Sequence, residues 1–423
     1  MNRIAKYASL GVATGALLLG SIAAASAADL VILTSWTKGD ARRPALDKIV
    51  EGFTKQTGIT VEIDASSNEG GAIASVYETS LLAGKEADLV LASLEGKLLD
   101  WAKRKAVVPV NDFVAAWGLD KTIPVDAIAD WTDSDGHVEG LPYLKFTWPW
   151  WYNTTLLKQA GVNAVPKTVD ELIAAAKALR KAGIEPVTIG GSDWSGEKMM
   201  LQIVQSYMPR DEAKKVLSTG GYCANADAMK GVNLLVRLRD EGVFVDGVQG
   251  LTSNDATAAF MTGVAAISSM GSWSYKDGEG IAASVTLAGF PAVDGGAYSK
   301  PTYYTGATLS GWFVTPAGAK KLDAIKKLVQ FVYAPEQLGT LIDHTGAIPV
   351  VNVDPKLVAQ KAGSTMMTKS MAELPGTVDA AVMPDVWVPG PVTEALYRAT
   401  SIVFTNGNGP GKVCAALDEA YKK

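Results

Sequence analysis

From Asp29 onward the chain alternates short β-branched runs with amphipathic helical stretches, and that rhythm limits the folds open to it. DLVILTSW predicts a strand, and RPALDKIVEGFTKQTG then sets Leu46, Ile49, Val50 and Phe53 on one face of a helix that Gly58 ends. ITVEIDAS and ADLVLAS predict two further strands, with a helix from about Gly70 to Ala83 between them. Strands joined by helices at this spacing imply right-handed crossovers and a mostly parallel sheet covered by helices.

A second such unit begins after GLPY. WPWWYNTTLLKQAG predicts a strand running into a short helix, and VPKTVDELIAAAKALRKAGIEPVTIGG a helix followed by a strand, with Thr168 and Glu171 spaced as a capping box and Gly183 at the exit. AAFMTGVAAISSMGSW predicts the end of a helix, a turn at Gly263, and a buried strand from Val264 to Met270 that stops before Trp273. The sheet pattern returns at GATLSGWFVT, a helix follows from about Lys320 to Tyr333, and the C-terminal part reads as helices broken by Pro and Gly. A chain of 423 residues suggests at least two α/β domains. The lack of a long Pro- or Ser-rich linker suggests that short strands cross between them more than once.

The N-terminus predicts export. Arg3 and Lys6 precede the apolar LGVATGALLLGSIAAA and the small-residue site ASAAD, so residues 1–27 read as a secretory signal peptide. Because no Cys directly follows the apolar region, a free periplasmic protein is expected rather than a lipoprotein. Removing Arg3 and Lys6 from the 39 basic residues leaves 37 against 44 acids, a balance that argues against nucleic acid or an anionic membrane as partner. Cys223 and Cys414 are the two cysteines, and in an oxidising compartment they are candidates for one disulfide that the sequence leaves open.

Several enzyme chemistries lack their parts. The two histidines, His137 and His344, have no second His or Cys at ligand spacing, so neither a zinc site nor a Ser-His-Asp relay is expected. GEGIAA at Gly278 imitates part of a dinucleotide fingerprint but follows a polar loop rather than a strand. No cofactor and no metal are expected. A glycoside hydrolase would need only two carboxylates, for which Glu69, Glu95 and Asp193 are candidates, as they would be in any acidic protein.

Tryptophan is abundant instead, with 11 in the chain, and several stand at the carboxyl ends of expected strands, where open α/β sheets place their ligands. Trp36 ends the first strand, Trp194 follows PVTIGG and Trp273 follows AAISSM, while Trp148, Trp150 and Trp151 cluster after LPY, with Trp150 and Trp151 reading as core, and Trp387 sits between two prolines. A flat indole suits the apolar C–H face of a pyranose, whose hydroxyls then reach polar side chains. Asp193, Glu95, Lys38 and Asn68 occupy comparable loop positions. The plainer alternative for any one of these rings is a lid on the core. For Glu69 and Asn68 it is a helix N-terminus, and for Lys38, Arg42 and Arg43 a solvated face.

Six stretches, in order, resemble the sugar-binding group of the extracellular solute-binding proteins of bacterial ABC importers, typified by maltose-binding protein. They are GLPY…WWYNTTLLKQAGV, VPKTVDELIAAAKAL, GIEPVTIGG, AAFMTGVAAISSMGSW, AIKKLVQFVYAPEQ and TGAIPVV. The resemblance implies a two-lobed α/β fold, each lobe a mostly parallel sheet flanked by helices, with a hinge between. Lobe one would hold 28–142 and 290–334, and lobe two 143–289 and 335–423. It implies a monomer that binds sugar between its lobes and delivers it to membrane permease subunits, with no bond made or broken.

Residue by residue, the likeness assigns Trp273 the platform for the sugar. It gives cleft contacts to Trp36 and Lys38 after the first strand, to Glu95, and to Lys145 and Phe146 near the hinge. Asp193 and Trp194 would supply an acid and an aromatic, and Trp387 a C-terminal aromatic, although its flanking prolines depart from the pattern. An acidic sugar or phosphate ester is the second expectation, motivated by Lys38, Arg42 and Arg43.

Overall fold

The computed structural model describes residues 28–38, 40, 42–65, 70–94, 98–345, 347–351 and 365–422. The expected leader, 1–27, lies outside them. Eleven strands are described: β1 (Leu30–Thr34), β2 (Val61–Ala65), β3 (Leu89–Ala92), β4 (Leu141–Trp148), β5 (Trp150–Asn153), β6 (Glu185–Thr188), β7 (Ala265–Ser269), β8 (Val285–Ala288), β9 (Thr302–Val314), β10 (Ile348–Pro349) and β11 (Asp379–Ala380). They form two sheets, one ordered β10-β4-β9-β3-β1-β2 with β11 beside β9, the other β6-β7-β5-β8.

Two separate cores follow from these sheets. The first gathers Leu30, Ile32, Leu46, Ile49, Phe53, Leu89, Val90 and Leu91 with Trp312, Phe313 and Val314 of β9. The helix Arg43–Thr57 joins it through the face its spacing predicts. The second gathers Trp150, Tyr152, Val187 and Ile267 with the helices Val169–Lys181, Trp194–Val204 and Ala226–Asp240. The capping box at Thr168 and Glu171 is formed in both directions.

β4 and β9 run between the two cores. Leu141 and Leu144 of β4 belong to the first, and Phe146 and Trp148 to a small aromatic group between them, after which Trp150 of β5 enters the second core. β9 makes the return journey from Tyr304 to Trp312, so the two strands pair antiparallel. This corrects the expectation of mostly parallel sheets. β1, β2 and β3 are parallel, as are β6 and β7, but crossing strands that carry the chain out and back must oppose each other, and β5 opposes both its neighbours.

The chain just after the expected division at 334 also packs differently. The helix Pro335–Thr345 follows Leu322–Val332 after a short break, and Leu338, Leu341, Ala347, Val350 and Val351 are buried in the first core. From Val382 to Ala420 the chain contributes to the second. A disulfide joins Cys223 to Cys414, with Cα atoms 5.1 Å apart, and ties the turn before Ala226–Asp240 to the C-terminal helix Pro410–Ala420. No helix among the described residues is long and apolar enough to cross a membrane.

Candidate functional site

The aromatic group at the crossing is where the chain's largest side chains meet a cavity. Phe146 and Trp148 stand two apart on β4 and so share a face. Trp148 lies between two other indoles, 5.5 Å from Trp194 and 5.1 Å from Trp273, which are themselves 6.1 Å apart. Phe146 extends the group, 6.5 Å from Trp148 and 6.1 Å from Trp273. Trp148 meets Phe146 and Trp273 edge to face and the other pairs are tilted, so the rings form one wall rather than an open cage.

Each indole is delivered by a different local device. The helix Ser253–Met261 ends at a turn whose Gly263 has φ 77°, and β7 then runs fully buried from Ala265 to Ser269. Trp273 follows in a single 3₁₀ turn, with its ring folded back over Gly271. A Cβ there would lie 2.2 Å from the ring, so the Gly that precedes Ser272 is a space requirement of the indole. Trp194 opens the helix Trp194–Val204, capped by Asp193. One Asp193 oxygen accepts from the N–H and hydroxyl of Ser195 at 2.9 and 2.7 Å, the other from the Ser253 N–H at 2.6 Å. The carboxylate thereby fixes the start of the helix Ser253–Met261, with Ser253 and Asn254, against the Trp194 turn.

A cavity of about 180 Å³ opens against this wall. Trp148, Trp194 and Trp273 line it beside Ile189 and Met270, and Asn254, Thr257, Ser269, Ser274 and Asp277 supply polar groups. Burial pushes the Asp277 carboxyl above its ordinary value. Apolar ring faces beside hydroxyl and amide groups equip the cavity for a compact solute with one apolar face and many hydroxyls.

Of the residues singled out in the sequence, Phe146, Trp194 and Trp273 come together here, and Asp193 stands directly behind them. Trp36 does not join them. Its N–H donates to Thr34 Oγ1 at 3.2 Å, and the ring, 1 % exposed, turns into the first core under the Arg42 guanidinium at 4.8 Å. Lys38 and Lys145 are exposed, the latter on β4 opposite Ile348 of β10. Trp387 is partly exposed with Lys214 Nζ 5.1 Å from its ring centroid, and it does not line the cavity. Asn68, Glu69 and Glu95 lie outside the described residues.

Arg42 and Arg43 are already engaged. Arg42 makes a forked pair with Asp40 at 2.9 and 2.7 Å, and Arg43 pairs with Asp47 at 2.7 Å and donates to the Trp36 carbonyl. His137 has a partner its sequence spacing did not suggest. Its Nδ1 lies 2.9 Å from Asp133 Oδ2, while Asp133 Oδ1 accepts the N–H groups of Asp135 and His137, which ties up a hairpin turn.

Trp148 and Asp277 were missed as site residues. The i, i+2 pairing with Phe146 was the available signal for Trp148. Asp277 gave none, since it stands in a polar loop after the tryptophan motif.

Residues 39–338 match the family model for bacterial extracellular solute-binding proteins. A probable secreted solute-binding lipoprotein from Streptomyces coelicolor superposes with a TM-score of 0.81 at 37% identity, over 94% of this chain and 100% of that one. The chain belongs to the bacterial extracellular solute-binding proteins. Among curated relatives, a probable sugar-binding periplasmic protein of Rhizobium meliloti is 27% identical to this solute-binding protein over 263 residues, 62% of each chain. The chain thus spans somewhat less than two thirds of that relative's length. The maltose-bound MalE3 of T. maritima has the same two-lobed fold, with a TM-score of 0.74 at 19% identity over 93% of this chain and 98% of that one.

Proposed function

We propose that this solute-binding protein is the sugar receptor of an ABC importer. It captures a mono- or oligosaccharide between its two cores, with Trp148, Trp194 and Trp273 as the stacking wall, and hands it to the membrane permease. The observation that carries this reading is the indole wall facing a cavity of hydroxyl and amide groups at the point where β4 and β9 cross. The sugar-binding name of the Rhizobium meliloti relative supports it, as does the maltose in the T. maritima structure.

The moving bodies are the two cores, one built on the described residues of 28–144 and 309–351 and the other on 150–290 with 382–421. A sugar that touches both binds the closed arrangement better than the open one, and this difference shifts the population toward closure. Trp273 is the platform, Phe146 and Trp194 complete the wall, and Asp193 holds the wall in place. Residues 1–27 direct export, and the mature chain acts as a free monomer outside the cytoplasmic membrane.

Thermal unfolding of the mature protein against a panel of sugars, sugar acids, phosphate esters and amino acids tests this. An unmodified sugar should raise the midpoint by binding the folded state, and should be recovered intact. A midpoint raised only by amino acids, or a sugar returned cleaved, would contradict the proposal.

A further inference from the structure

Asp277 differs from every other polar group around the cavity. It is the one ionisable residue among the described residues that line it, and among the described residues no hydrogen bond or ion pair engages its carboxylate. Its neighbours Lys276 and Glu279 are not part of the lining. Two other acids are committed to partners. Asp193 has both oxygens committed to capping, and Asp385 is paired with Lys198 at 2.7 Å. Asp277 begins the 3₁₀ stretch Asp277–Ser284, four residues after Trp273, and stands exposed at the cavity while the surrounding walls still push its pKa up.

A carboxylate without a partner, beside a stacking wall, has two effects on what enters. It accepts hydrogen bonds from ligand hydroxyls, which are strengthened by its charge. It also repels a second anion, more strongly here than in bulk water because the indoles lower the local dielectric. No cation lines the cavity among the described residues: Lys276 is exposed outside the lining, Arg42 and Arg43 pair with Asp40 and Asp47, and Lys198 pairs with Asp385. The size of the cavity, about 180 Å³, lies below the range of about 300–1,000 Å³ usual for drug-sized ligands, which suits one sugar ring against the wall.

We infer that Asp277 sets the charge class of the ligand: the cavity takes an uncharged sugar ring whose hydroxyls donate to the Asp277 carboxylate, and it rejects sugars bearing a carboxylate or phosphate. The inference rests on the sugar-receptor reading and narrows it. It makes Asp277 a specificity residue in addition to the aromatic wall.

Calorimetric titration of the mature protein with glucose, galactose, xylose and mannose, and with glucuronate, galacturonate and glucose 6-phosphate, tests it. At least one neutral sugar should bind, with its anionic counterpart about tenfold weaker or worse. Asp277→Asn should shrink that ratio to about threefold or less, because the repulsion is gone. A purely structural Asp277 would weaken both classes alike and leave the ratio unchanged, which would overturn the inference. So would a wild-type protein that binds the anionic sugars as tightly as the neutral ones. Should Asp277→Asn not fold, Asp277→Ser serves in its place. Failure of every sugar in this panel, with an oligosaccharide raising the unfolding midpoint, would overturn this inference alone; failure of oligosaccharides as well would overturn the sugar-receptor reading and this inference with it.

Discussion

Gly271 and Trp273 show how closely one residue's identity can depend on another's side chain. The ring lies where a Cβ at position 271 would be, so Gly271→Ala forces the indole from its place although the backbone there is ordinary. The expected result is a folded protein destabilised by about 1–3 kcal/mol, with sugar affinity reduced about tenfold or more. Chemical denaturation and calorimetry check the two effects separately. In the sequence Gly-Ser before Trp273 suits an exposed turn and so sets the ring apart from the core, but the space that Gly271 leaves for the indole is a product of the fold. Trp36 had much the same signature and was misleading. Its backbone N–H bends back to Thr34, and the ring is buried under Arg42, contacts that depend on how the following turn folds. Trp148 was obscured for the opposite reason. It stands in a run with Trp150 and Trp151, and only the passage of β4 from one core to the other separates the ring at the cavity from the two inside.

At the scale of elements, helices were easier to read than sheet pairings. The capping box at Thr168 and the apolar face of Arg43–Thr57 are local properties of a dozen residues, and both form as their spacing predicts. The direction in which β9 meets β3 and β4 depends on residues more than a hundred positions away, so no local pattern encodes it. The disulfide is likewise non-local. It closes a loop between residues 191 apart, and beside it Asp418 accepts the N–H groups of Gly221, Tyr222 and Cys223. Replacing both cysteines by Ser should lower unfolding free energy by about 2–5 kcal/mol. Sugar affinity should stay unchanged, because the bond fastens the far side of the second core. Denaturant unfolding with and without reductant, alongside a binding titration, tests both parts.

The molecule as a whole carries a buried acid that should make its stability depend on pH. Glu139 accepts the Ala102 N–H at 2.7 Å with one oxygen, while the other is buried without a partner among the described residues. Burial pushes its pKa up to about 7, and the nearby Asp133 and Asp100 add to the rise. The folded state therefore holds this proton up to about pH 7, whereas the unfolded chain releases it near its ordinary value of 4.5. Between those values the unfolded state binds fewer protons, so this group's contribution to stability falls as pH rises. Glu139→Gln, which does not titrate, should flatten that slope and be the more stable protein above neutral pH by on the order of 2 kcal/mol. Urea unfolding at pH 5 and pH 8 distinguishes the variant from the parent.

Binding, by contrast, is expected to act through the two cores together. The wall of indoles lies at the crossing strands, so a ring held there sits where movement of one core relative to the other changes its surroundings most. The measurement that bears most directly on this is a calorimetric titration of the parent and of Trp273→Ala with the sugar that most raises the unfolding midpoint of the parent. The variant should keep its unliganded fold and lose about a hundredfold or more in affinity. Undiminished affinity in a folded Trp273→Ala protein would contradict the assignment of the indole wall as the sugar platform.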